Sequence, residues 1–106
     1  MVAGARPRGE GRAMPFYVQL LKWTDQGRKN ADSLVDRVET VQKRVADMGV
    51  NVIGHYLTMG QYDQVIVCEA PDDETVAKIT VMVAGRGNVA SETMRAFTMD
   101  EARKLI

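Results

Sequence analysis

A chain of 106 residues with zero formal net charge and 45% hydrophobic residues suits one soluble domain with one modest core. That balance lacks the basic surface of a nucleic-acid binder, and no apolar run nears the roughly 18–20 residues of a membrane span, so neither nucleic acid nor membrane is expected as a partner. With one cysteine, Cys68, and one histidine, no intrachain disulfide forms, no metal or cofactor is expected, and a cytoplasmic setting is favoured.

Residues 1–13, "MVAGARPRGEGRA", hold three Arg and one Glu and show no hydrophobic periodicity. They read as a flexible leader, an expression remnant or an over-extended start, with Met14 the natural first residue. The domain is expected over residues 14–106.

"FYVQLLKW", 16–23, is aromatic and branched and predicts a strand. "TDQGRKNAD" predicts a loop. Leu34, Val38, Val41, Val45 and Met48 then recur at spacings of four and three, the stripe of an amphipathic helix. Ser33 and Asp36 suggest a capping box, and Gly49 a stop. Strands are predicted over 50–59 and 62–70, joined at Gly60-Gln61 by a type II′ turn with glycine first. Pro71 ends the second of these. Asp72 should cap a helix over 73–84, whose apolar side is Val76, Ile79 and Val83. "AGRGN" breaks that helix, 89–98 reads as a fourth strand, and "MDEARKLI" as a short terminal helix.

The order strand, helix, strand, strand, helix, strand predicts an α+β, ferredoxin-like βαββαβ sandwich: four antiparallel strands with two helices on one face. The strands are apolar on both sides. Phe16, Val18 and Leu20 oppose Tyr17, Leu21 and Trp23; Val65 and Val67 oppose Ile66 and Cys68; and Val50, Val52 and Tyr56 oppose Ile53 and Leu57. Two helices cover one face only, so the other is expected to be covered by a second copy, sheet to sheet.

The hairpin "HYLTMGQYD", 55–63, holds the polar residues of most interest. A two-residue turn opposes Thr58 to Asp63 and Tyr56 to Val65. Tyr56, Thr58 and Asp63 should then share one face, and His55, Leu57, Met59 and Tyr62 the other. His55 and Asp63 therefore cannot pair in a catalytic chain. Asp63 reads either as a turn-stabilising group or as a general base. His55 reads either as a packed, hydrogen-bonded residue or as a proton carrier. Trp23, Tyr56, Thr58, Tyr62 and Arg95 are candidates to line a ligand pocket, with core or interface roles as the alternative for the aromatics. Cys68 reads as a small buried hydrophobe. "GRGN" follows a helix and so is no phosphate loop.

From Met14 onward the chain resembles the GYD-domain family, through "LLKWTDQG" (20–27), "YLTMGQYD" (56–63), "VCEAPDDE" (67–74), "GNV" (87–89) and "MRAFT" (94–98). The naming motif stands here as Gly60-Gln61-Tyr62-Asp63. The family pattern also falls on the Trp23-Thr24-Asp25 turn and on Arg95. The resemblance implies a dimeric α/β barrel, in which two ferredoxin-like subunits pack their sheets together. It carries no catalytic residue over. The expectation is a small-molecule-binding or accessory homo-oligomer. The alternatives are a cofactor-free enzyme using Asp63 or His55 for proton transfer on a small metabolite, and a structural assembly module.

Overall fold

The structure, a computed structural model, describes residues 14–106; the expectation for the leader lies outside the described residues. The elements are β1 (Phe16–Trp23), α1 (Asp25–Lys29), a 3-10 turn (Ala31–Ser33), α2 (Leu34–Asp47), β2 (Asn51–Leu57), β3 (Gln64–Glu69), α3 (Asp73–Ala84), β4 (Val89–Ala96) and α4 (Met99–Arg103). The strands form one sheet in the order β2-β3-β1-β4, every pair antiparallel. This is the predicted ferredoxin-like arrangement.

The α2 stripe lies against the sheet as its spacing requires, with Val41, Val45 and Met48 on the core. Val76 and Ile79 of α3 complete that core against Tyr17, Val50, Cys68 and Ala70. Asp72 caps α3 by accepting the Thr75 N–H at 2.8 Å. Its carboxyl is held below the ordinary carboxylate range, first by that backbone bond and then by the Thr75 hydroxyl. Thr98 and Glu101 form a full capping box on α4.

Four expectations need correction. The segment after β1 is not all loop. Thr24 accepts the Gly27 N–H at 3.1 Å and starts the short α1, whose Asp25 and Arg28 pair at 2.7 Å. Ser33 forms no capping box, because the 3-10 turn runs straight into α2 and turns the hydroxyl back to donate to Asn30 O at 2.9 Å. The hairpin strands also stop short of the turn, β2 ending at Leu57 and β3 beginning at Gln64. Gly60 does take the positive φ, 105°, that the first position of the turn demands.

The last correction concerns β2. A bulge between Val52 and Gly54 shifts its register against β3, with Val52 opposite Cys68 and Gly54 opposite Val67. Val52 therefore faces the helices, whereas Tyr56, of the same parity, faces the open side with Val65. The predicted side assignment holds for β1 and β3 and fails across the bulge.

Candidate functional site

The two sheet faces carry different chemistry. On the helix side, His55 lies next to Gln64, with Nε2–H donating to Gln64 Oε1 at 2.7 Å. Gln19 is nearby on β1, its amide 3.2 Å from Thr93 Oγ1. On the open side stand Val18, Leu20, Val65 and Val67, half-buried, with Met94 40% and Tyr56 56% exposed. No helix among the described residues covers them. Tyr56 lies back over Gly54, where a Cβ would come within 2.3 Å of the phenol oxygen.

Asp63 proves to be a joint. Its N–H donates to Leu21 O at 2.8 Å, its carbonyl accepts the Thr58 N–H at 2.9 Å, and its carboxylate accepts the Trp23 N–H at 2.8 Å. The β1–β3 ladder ends at Leu21–Gln64, and the Asp63 side chain supplies the acceptor that the departing backbone withholds from Trp23. Thr58 closes the tip by donating from its hydroxyl to Tyr62 O at 2.7 Å.

Tyr62 departs from its expected side. Beyond Gln64 the tip no longer follows the pleat, and the Tyr62 phenol crosses the end of β1 to donate to Glu92 Oε1 at 2.7 Å. Lys22 stands 5.7 Å from the centre of its ring. The bond to Glu92 is the main cause of the raised Tyr62 pKa. Arg95 belongs to the opposite, helix side, 4.2 Å from the Phe97 ring centre and 5.8 Å from that of Tyr17. Trp23 is tied down through its backbone, and its indole N–H is buried with no partner among the described residues. Trp23, Tyr56, Thr58, Tyr62 and Arg95 thus do not converge on one cavity.

The stretches on which the family resemblance rests meet each other instead. Thr24 N–H donates to Asn88 O at 3.0 Å and its hydroxyl to Gly87 O at 2.6 Å, while the Gln26 amide reaches Arg86 O at 2.9 Å. Gly27 packs so closely on the Asn88 carbonyl that a Cβ would lie 2.1 Å from it. Sequence reasoning missed Glu92, Gln64 and the Gly54 bulge. A glycine inside a strand pattern was the signal for the last.

Among the described residues no group of three or more His, Cys, Asp or Glu is placed to hold a metal, and no helix is long and apolar enough to cross a membrane. Cys68 is buried, and burial pushes its thiol up to about 11, so it is protonated at neutral pH.

The fold and this arrangement define a ferredoxin-like α+β domain with a pinned hairpin and an open apolar sheet face. The GYD domain matches residues 17–106, and the chain belongs to that family. It is 36% identical over 84 residues to the "Glutamine synthetase and cystathionine beta-lyase binding protein" of Thermus thermophilus, covering 78% of this chain and 88% of the relative. In structure it is similar to the crystal structure of MtbAldR, with a TM-score of 0.65 and 15% identity over 90% of this chain. The chain spans 60% of that larger protein, and the likeness is one of fold.

Proposed function

We propose that this protein is a cytoplasmic, homodimeric accessory protein that binds other proteins and catalyses no reaction at its hairpin. The observation that carries this reading is how the side chains are used. The groups able to do chemistry at the hairpin are engaged in bonds that build it: Asp63 with Trp23 N–H, His55 with Gln64, and Tyr62 with Glu92. What the surface offers is apolar: the open sheet face, and a tip on which Leu57 is 67% and Met59 98% exposed. Such patches are the ordinary makeup of interaction surfaces.

A second copy is the occupant that suits the open face. Its strands run apolar through Val18, Leu20, Val65 and Val67, and the GYD resemblance implies sheet-to-sheet pairing. The partner enzyme would then meet the tip, which Asp63 holds in place before binding. The Thermus relative is named for binding glutamine synthetase and cystathionine β-lyase. We take enzymes of that kind as the partner class for this chain.

The test is direct binding of the purified protein to glutamine synthetase and to cystathionine β-lyase of its own organism. Saturable binding to at least one, weakened about tenfold or more by Met59→Glu, is expected, since a charge at an interface core costs at least that much. Absence of binding to both enzymes would overturn the partner assignment. A second reading, small-molecule binding, is favoured by a cavity on the helix side of the sheet.

A further inference from the structure

α2 packs toward β2 and α3 toward β4, and between them the helix layer leaves a cavity of about 120 Å³ over the central strands. Leu34, Val38 and Val41 of α2, Ile79 and Val83 of α3, and Ile66 of β3 form its apolar wall. One end is closed by the buried core residues Val45, Val50, Cys68 and Val76. The other end is where α2 begins and α3 finishes, and there the half-buried Arg37 and the exposed Arg86 line the mouth.

Two features show that this is more than a packing defect. Gln64 is 3% exposed and lines the cavity; its amide oxygen is taken by His55, and its amide nitrogen has no partner among the described residues. That nitrogen is not sealed off from the cavity and can donate to a group bound there. The charge is also one-sided. Arg37 and Arg86 line the space with His55, and no Asp or Glu among the described residues does. Arg37 commits one nitrogen to Asn30 O and Ser33 Oγ, whereas the Arg86 guanidinium has no hydrogen bond or ion pair among the described residues.

We propose that this cavity binds a small monocarboxylate with a compact apolar body, its ring or chain inside the helix layer and its carboxylate at the mouth. An apolar cavity of about 150 Å³ accepts benzene; at about 120 Å³ and open at its mouth, this one takes a body of at most one ring or roughly six carbons. A carboxylate supplies acceptors for both Arg86 and the Gln64 amide, and arginine holds carboxylates through paired N–H groups. The site lies on the opposite side of the sheet from the proposed subunit interface. Loss of ligand and loss of the dimer are therefore separable.

The test is titration of the intact protein with benzoate and hexanoate, followed by backbone NMR shifts, with acetate and 1-hexanol as controls. Expected is saturable binding of at least one of the two acids with Kd of about 1 mM or tighter, shifts confined to the cavity wall, and at least about tenfold weaker binding of both controls. Arg86→Gln should weaken binding about tenfold. Val83→Phe, which fills the cavity, should abolish it while the unperturbed amide spectrum reports an intact fold. No saturable binding of either acid would overturn the proposal. So would equal binding of 1-hexanol, or shifts that map to the open face.

Discussion

Tyr17 shows how one side chain links the two layers. It is 3% exposed, and its phenol donates to Asp73 Oδ1 at 2.5 Å across the start of α3. Burial, and then that bond, push its pKa from the ordinary 10.0 up to about 12. The folded protein holds this proton more tightly than the unfolded chain does. Its stabilising contribution is therefore fully present below about pH 10 and is lost as pH rises toward 12. Urea unfolding between those limits should show falling stability, and Tyr17→Phe should flatten the fall. Both are best measured in a Tyr62→Phe background, because the Tyr62 pKa is raised as well. An unchanged slope in Tyr17→Phe would contradict the assignment. At this scale the sequence was a partial guide. The cap at Asp72 was legible because it depends on local chain alone. The Tyr17–Asp73 and Tyr62–Glu92 bonds join residues 56 and 30 positions apart, which no local pattern reports.

The hairpin and the end of β1 behave as one element, with Asp63 as their joint. Removing its carboxylate leaves the Trp23 N–H without its acceptor and frees the tip. Asp63→Ala should destabilise the fold by about 1–3 kcal/mol, the usual cost of leaving a hydrogen-bonding group unpaired. Asp63→Asn keeps an acceptor oxygen and should cost clearly less. Equal midpoints for the two variants in chemical denaturation would refute this account of the residue. The strand ladder, the turn glycine and both long helices were readable from periodicity and turn chemistry. The side assignment in β2 was not, because a bulge reverses parity and only Gly54 hinted at it. That reversal turns Val52 to the helices, while the hairpin register alone keeps Tyr56 on the open face and His55 on the side of Gln64.

For the molecule as a whole, the open face is the feature that most needs a partner. Two-sided apolar strands made the need visible in sequence, and the sheet, with both long helices on its other face, leaves Val18, Leu20, Val65 and Val67 without helical cover among the described residues. The helix-side cavity was not legible. It depends on how far α2 and α3 stand apart, which helical periodicity leaves open. The proposed subunit contact also gives the accessory reading its form, since two copies would present two pinned tips. Native mass spectrometry at micromolar concentration tests this most directly, on the natural sequence and on Val67→Lys, which places a charge at the centre of the open face. The account predicts a dimeric or larger mass for the first, and a folded monomer for the second. A monomeric mass for the natural sequence would contradict it.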